Sequence, residues 1–184
     1  MNPQPPSEME LYRVYDAIEA VLDRNGISHC LVGGLAVSVW GDPRTTYDLD
    51  MAILGDLSDA TKLQHLLAAD PAIVQNPHIL PLPPSLAILR IPLVIESAGE
   101  AKLIPVDLLL VPVEFSQSIL DRSIALPIAG RLRKVCSPED LVVLKRLSGR
   151  AKDLEDIHGI VRNAGTALDS NYVERWTRRL GITP

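Results

Sequence analysis

Two aspartates, Asp48 and Asp50, lie one residue apart at the start of a short, mostly apolar run. Side chains alternate faces along a β-strand, so a strand here would present both carboxylates on one face. Carboxylates this close repel each other unless a cation lies between them, and a hard cation such as Mg²⁺ prefers oxygen ligands. The pair therefore predicts a divalent-cation site. The alternative interpretation is a solvated strand face that carries two acids by chance.

A diglycine, Gly33-Gly34, precedes the acidic pair and follows an apolar run, residues 27–32, that is typical of a short buried strand. Residues 35–40 then favour one or two helical turns. This order places a helix N-terminus at the edge of a sheet, where bare backbone N–H groups let a phosphate approach. The alternative is a tight turn that needs positive φ. Together with the acidic strand, the diglycine predicts a phosphate site.

A third carboxylate, Asp107, interrupts an otherwise apolar strand predicted for residues 101–111. The preceding apolar run, residues 86–95, is expected to pair with that strand as a hairpin. An Asp in the middle of such a strand is unfavourable to bury without a partner. We predict that Asp107 lies beside Asp48 and Asp50 as a metal ligand or base. In the alternative interpretation it bonds to a neighbouring Arg or Lys.

These residues, with the stretch from Arg44 to Asp50, resemble the nucleotidyltransferase superfamily to which DNA polymerase β belongs. The segment from Ser137 to Ile157 resembles the bacterial branch that includes AbiEii-type nucleotidyltransferase toxins. Two features depart from the pattern. Gly34 stands where many members of the superfamily have Ser, and the chain is shorter than the AbiEii-type toxins.

The succession of predicted elements indicates an α+β fold, with a mixed β-sheet, helices packed mainly on one face and a C-terminal helical part. The resemblance implies that the sheet is nucleotidyltransferase-like. We divide the chain into a nucleotidyltransferase-like core with an N-terminal helix, residues 1–136, and a helical part packed on that core, residues 137–184.

The resemblance also implies an activity, the transfer of a nucleoside monophosphate from an NTP such as ATP to a hydroxyl acceptor. Asp48, Asp50 and Asp107 would be the catalytic residues and would hold two Mg²⁺ ions, with Mn²⁺ as a substitute. Asp107 would also take the proton from the attacking hydroxyl. The backbone of Gly33 and Gly34 would bind the outer phosphates.

Three further residues are candidates for nucleotide binding. Arg44 and Thr46 precede the acidic strand closely enough to border the site, and Arg44 would either steer a triphosphate or pair with Asp42 in the loop. Lys145 lies on a helix predicted for residues 138–148. The resemblance implies that it reaches the nucleotide phosphates. The alternatives are a solvated lysine, or a partner that neutralises Asp50 or Asp107.

Composition and charge are those of a globular domain of 184 residues with 47% hydrophobic residues. The sequence has no run near the ~20 apolar residues of a membrane helix and no signal-peptide pattern, so we expect a cytoplasmic protein with no membrane partner. Residues 1–130 carry 7 basic and 16 acidic side chains, and residues 131–184 carry 11 and 7. The basic end would suit a phosphate-rich substrate or locally docked RNA. Ordinary helix-surface charge is the alternative.

The acceptor and the biological setting stay open at this stage. The acceptor is a tRNA, a partner protein or a small molecule such as an aminoglycoside, and a toxin–antitoxin or phage-defence setting is one hypothesis. The other class of function is a catalytically silent nucleotide-binding or antitoxin-like module that acts by binding a partner. The presence of all three carboxylates favours the enzyme. The oligomeric state is unknown from sequence.

Overall fold

The computed structural model describes residues 5–82, 86–97 and 99–182. The strands are β1 (His29–Leu31), β2 (Leu49–Ile53), β3 (His78–Leu82), β4 (Leu86–Ser97), β5 (Glu100–Leu110), β6 (Ile124–Ile128) and β7 (Arg131–Val135). The helices are α1 (Glu8–Arg24), α2 (Gly33–Trp40), α3 (Ala60–Ala68), α4 (Val113–Asp121), α5 (Pro138–Ser148), α6 (Ala151–Ala164) and α7 (Ser170–Arg179). Two short 3₁₀ turns, Leu57–Asp59 and Gly165–Ala167, precede α3 and follow α6.

In the described residues, seven strands form one mixed sheet in the order β3-β4-β5-β2-β1-β7-β6. Strand β2 lies at its centre, antiparallel to β1 and parallel to β5. The predicted hairpin is present, because β4 pairs with β5 in antiparallel register along both strands. Parallel neighbours need a long crossover, and the chain from α3 through β3 and β4 provides it between β2 and β5.

The two faces of the central strands differ in burial. Leu49, Met51, Val106 and Leu108 point to one face and are fully buried. The opposite face carries the three acids and half-buried side chains of β4 and β5. This alternation follows the period of two along each strand. The predicted α+β fold with a mixed sheet is confirmed, and the less buried face is the one left available for a site.

Helix α5 has strong signals at both ends. The Ser137 hydroxyl accepts a hydrogen bond of 3.1 Å from the Asp140 backbone N–H, and Pro138 occupies the first turn. Gly149 ends the helix in a left-handed conformation, φ 63°. Such caps fix where a helix begins and ends. They set the position of Lys145 above the open face of the sheet.

Two tryptophan side chains join helices to the rest of the fold. Trp40 at the end of α2 donates from Nε1 to the Cys136 carbonyl oxygen at 2.8 Å. Trp176 of α7 lies against Phe115 of α4, with ring centroids 4.8 Å apart.

No helix in the described part of the chain is long and apolar enough to cross a lipid bilayer.

Candidate active site

The three acids converge because of strand register. Asp50 of β2 lies directly opposite Asp107 of β5 in the parallel pair. Asp48 precedes Asp50 by two residues and therefore points to the same face. One carboxylate oxygen from each of the three lies within 4.8 Å of the others. The structure thus brings together the three side chains that the sequence singled out as metal ligands.

Asp50 carries the clearest electrostatic consequence of this convergence. Burial, together with the negative charges of Asp48 and Asp107, raises the pKa of the Asp50 carboxyl to about 6. The Gly34 backbone N–H opposes this rise through a long hydrogen bond of 3.4 Å to Oδ2. Three carboxylates in so small a volume need positive charge to ionise together.

The diglycine lies against the acidic strand without room for a side chain. Gly33 has φ +65°, and a Cβ added to it would lie 1.9 Å from Asp50 Oδ2. Helix α2 begins here, its N-cap residue Val32 provides no side-chain acceptor, and the Gly34 N–H lies 3.4 Å from Asp50 Oδ2. The positive φ confirms the need for a glycine at Gly33. The turn places the start of a helix beside the Asp50 carboxylate.

Gly34 and Thr46 fit each other by size. A Cβ on Gly34 would lie 2.5 Å from the Thr46 hydroxyl oxygen, so the threonine side chain fills that space. The same hydroxyl, in a residue that is 7% exposed, donates to Asp48 Oδ1 at 2.7 Å. Thr46 therefore orients one of the three acids, and it is not among the residues that line the cavity over them.

Arg44 also lies outside that cavity. Its guanidinium donates to both carboxylate oxygens of Asp156, at 2.7 and 3.0 Å. The alternative loop pair with Asp42 is wrong, because Asp42 accepts from Arg162 instead, at 2.5 and 2.6 Å. Arg44 therefore ties the loop before β2 to helix α6.

Lys145 does line the cavity. It is 4% exposed, and its ammonium lies 3.1 Å from Asp153 Oδ1 and 2.7 Å from Asp156 Oδ2. The expectation that Lys145 is solvated is wrong. Its direct partners are these two acids of α6 rather than the acids of the sheet. The two aspartates are three residues apart on one face of a helix. This spacing of Asp153 and Asp156 was the feature of the sequence that could have identified them as partners of a buried lysine.

Asp153 completes a chain of alternating charges. Burial disfavours its ionisation, but Arg150, with Nε 2.9 Å from Oδ2, and Lys145 outweigh that effect and hold the pKa of Asp153 at about 2. The charges therefore run from Arg44 through Asp156, Lys145 and Asp153 to Arg150. This network fixes the Lys145 ammonium at the wall of the site.

Arg90 is the residue near the acids that the sequence did not single out. It lies opposite Asp107 in the β4–β5 register. Its Nε and Nη2 each donate to the Asp107 carboxylate at 2.7 Å. Both interpretations of Asp107 therefore hold in part, because this acid pairs with an arginine and also lies among the three converging carboxylates. The hairpin pairing was predictable, but its register was not.

Solved structures with a similar chain path support an assignment of the fold. An antigenic nucleotidyltransferase-like protein from Paracoccidioides brasiliensis aligns over 96% of this chain and 89% of its own, with TM-score 0.58 and 23% identity. ANT(2″)-Ia in complex with adenylyl-2″-tobramycin aligns over 93% and 98%, with TM-score 0.53 and 14% identity. The chain has a nucleotidyltransferase-like fold.

A third structure with this fold, a putative nucleotidyltransferase from Thermotoga maritima, covers 88% of this chain and 99% of its own, with TM-score 0.52 and 16% identity. No family model matches the sequence, and no curated protein is significantly similar to it. At these identities the comparisons define the fold, and the chemistry has to be argued from the site.

On this nucleotidyltransferase-like fold, the acids suit a hard divalent cation. The donor set is three carboxylates whose oxygens lie within 4.8 Å of one another. Oxygen-only ligands favour Mg²⁺, Mn²⁺ or Ca²⁺ over softer metals. Burial and the charges of Asp48 and Asp107 raise the pKa of Asp50, and a bound cation would offset these effects. The residues present therefore fit a divalent cation.

Proposed function

We propose that the protein is a Mg²⁺-dependent nucleotidyltransferase that moves an NMP from an NTP to a hydroxyl acceptor. The observation that carries this proposal is the convergence of Asp48, Asp50 and Asp107, with oxygens within 4.8 Å of one another, beside the diglycine turn. The nucleotidyltransferase-like fold supports it.

The three carboxylates would hold the divalent ions, Mg²⁺ first and Mn²⁺ as a substitute. When bound, a pair of such ions stabilises the charge on the entering and leaving oxygens of an in-line displacement at phosphorus. The hydroxyl of Thr46 holds the Asp48 carboxylate in orientation through their 2.7 Å hydrogen bond.

Phosphate binding and proton transfer would be performed by side chains and backbone groups of this chain. The N–H groups at the start of α2 bind the outer phosphates, and the Lys145 ammonium at the cavity wall adds positive charge near them. The acceptor oxygen attacks the α-phosphorus, the bond to the bridging oxygen breaks, and pyrophosphate leaves. Asp107 takes the proton of the attacking hydroxyl.

The acceptor is open between a tRNA, a partner protein and a small molecule. One structural neighbour is bound to adenylyl-2″-tobramycin, a precedent on this fold for a small acceptor. The likeness of residues 137–157 to AbiEii-type toxins keeps a toxin–antitoxin setting as part of the proposal.

The test uses each of the four NTPs labelled at the α-phosphate, with Mg²⁺, and total RNA, protein extract, tobramycin or octyl β-D-glucoside as acceptor. We expect label to reach one acceptor, with stoichiometric pyrophosphate. Asp50→Asn and Asp107→Asn should each lower the rate by about a hundredfold or more. Asp42→Asn, an exposed acid outside the site, is the matched control. If no acceptor is labelled and no pyrophosphate appears, the enzyme is ruled out.

One observation favours a second candidate, a nucleotide-binding module without transfer activity. Asp107 already has a cationic partner in Arg90, at 2.7 Å. If that pair persists when nucleotide binds, Asp107 cannot accept a proton. This candidate predicts binding of a labelled NTP with Mg²⁺ but no pyrophosphate, and co-purification of a stoichiometric partner from the native source.

A further inference from the structure

The cavity over the three acids extends beyond them, across β5 and β4 towards the edge strand β3. Its volume is about 450 Å³. In this extension the sheet side is formed by four aliphatic side chains, which we call the aliphatic floor. They are Leu82, Leu86, Ile88 and Leu109. Ile88 and Leu109 are register partners on β4 and β5, and Leu82 and Leu86 are partners on β3 and β4.

Helix α5 also contributes aliphatic side chains to the cavity lining. They are Leu144 and Leu147, which line it together with Lys145 and Ser148. Among the described residues that line the cavity there is no aromatic side chain. A planar base would therefore find no ring to stack on here, although stacking on aromatic rings is the usual way in which unpaired nucleic-acid bases are held.

Every acid that lines the cavity belongs to the proposed metal site. The acids among its described lining residues are the three converging aspartates, and its cations are Arg90, Lys145 and Arg150. If the aspartates hold divalent ions, no lining acid is left for a positively charged group on a ligand. A polycation would instead meet Arg90, whose side chain is 41% exposed and next to Asp107.

In-line displacement decides which ligand lies on the aliphatic floor. The attacking and leaving oxygens occupy opposite sides of the phosphorus. With the outer phosphates at the diglycine turn, which follows β1, the acceptor hydroxyl must come from the opposite side of Asp50. The strand order places β5, β4 and β3 on that side. The acceptor therefore passes Asp107 and rests on the aliphatic floor.

We propose that the aliphatic floor is the acceptor subsite, and that the acceptor is a hydroxyl compound with an aliphatic group next to its hydroxyl and no positive charge. The inference rests on the proposed function for the direction of attack. It separates this chain from enzymes of polycationic aminosugars, even though one structural neighbour is bound to adenylyl-2″-tobramycin. Affinity would come from buried aliphatic area rather than from ion pairs.

The experiment measures binding of two probes by calorimetry in the presence of Mg²⁺ and a non-hydrolysable ATP analogue. The probes are octyl β-D-glucoside, below its micelle concentration, and tobramycin. Leu82→Asp places a charge on the aliphatic floor at an exposed edge position, 39% exposed, so that folding is retained. Leu103→Asp is the matched control, because Leu103 is an exposed leucine of β5, 55% exposed, outside the cavity.

We expect octyl glucoside to bind the wild type about tenfold more tightly than tobramycin does. Leu82→Asp should weaken octyl glucoside by about tenfold, and Leu103→Asp should leave it unchanged. Tobramycin binding as tightly as octyl glucoside overturns the inference, and so does an affinity for octyl glucoside that is insensitive to Leu82→Asp. Failure of the proposed function looks different. It appears as the absence of pyrophosphate release with every acceptor, and it leaves the comparison of the two probes unaffected.

Discussion

Arg90 donates two hydrogen bonds of 2.7 Å to the two carboxylate oxygens of Asp107. The same carboxylate lies in register with Asp50 and takes part in the cluster of three acids. Asp107 is thus shared between a guanidinium and a site that suits a divalent cation. A cation bound there would compete with Arg90 for one set of oxygen lone pairs.

Removing this competition should strengthen metal binding. We predict that Arg90→Gln lowers the Kd of Mn²⁺ about fivefold, because a half-exposed ion pair is worth about 1 kcal/mol. Mn²⁺ binding followed by electron paramagnetic resonance measures this. Arg24→Gln is the control, since Arg24 makes a similar pair with Asp70 away from the cavity. Weaker Mn²⁺ binding in Arg90→Gln would mean that the arginine supports the metal site.

Metal binding should depend on pH through Asp50. Because the pKa of this carboxyl is about 6, a proton competes with the cation below that pH. The Kd of Mn²⁺ should rise about tenfold for each pH unit below 6 and level off above 7. Titrations between pH 5 and 8 measure the slope. A flat profile would show that Asp50 is fully ionised without the metal.

In the metal-free protein, the same raised pKa should make the free energy of unfolding depend on pH. The folded state binds the Asp50 proton more tightly than the unfolded chain does, because its pKa is raised from 3.8 to about 6. Stability from this group is therefore present at low pH and is lost as the pH rises from about 4 to about 6, by about 2–3 kcal/mol. Urea unfolding with a chelator measures it. In Asp50→Asn the loss should disappear.

The contact between Gly34 and Thr46 predicts a paired substitution. Gly34→Ser should destabilise the fold by about 2 kcal/mol, since its Cβ would meet the threonine side chain. Adding Thr46→Gly to Gly34→Ser makes room and should recover most of that loss. A double-mutant cycle by thermal unfolding measures the coupling. If Gly34→Ser alone is neutral, the threonine side chain moves freely and does not fix the Asp48 carboxylate.

The network around Lys145 predicts a large loss from a small change. Asp153→Asn removes one of the two acids that compensate a buried ammonium and should cost about 3 kcal/mol of unfolding free energy. Asp42→Asn is the matched control, because the Asp42–Arg162 pair is exposed and should be worth less than about 1 kcal/mol. Urea denaturation of both variants compares them. Equal losses would contradict a structural role for the buried network.

Local patterns carried much of the fold. The helix predicted for residues 138–148 is α5 with the same bounds, because Ser137-Pro138 and Gly149 are strong end signals. The predicted hairpin is β4–β5, since the Glu100–Leu110 strand follows a short turn. The shared face of Asp48 and Asp50 follows from alternation alone. These features depend on residues that are close in sequence.

Contacts between residues far apart in the sequence could not be predicted from it. That β2 and β5 are neighbours, with Asp50 opposite Asp107, is a pairing across more than fifty residues with no local signal. The partners of Arg44 and Lys145 lie on α6 for the same reason, because helix packing decides which acid they meet. The functional roles of the site residues therefore stay predictions, although the acids themselves meet.

The most direct test of the central claim is anomalous diffraction from crystals grown with Mn²⁺ and a non-hydrolysable NTP. The account predicts manganese peaks bonded to Asp48, Asp50 and Asp107, the triphosphate at the diglycine turn, and the Arg90 guanidinium moved off at least one Asp107 oxygen. An intact Arg90–Asp107 pair with no manganese among the three acids would contradict it.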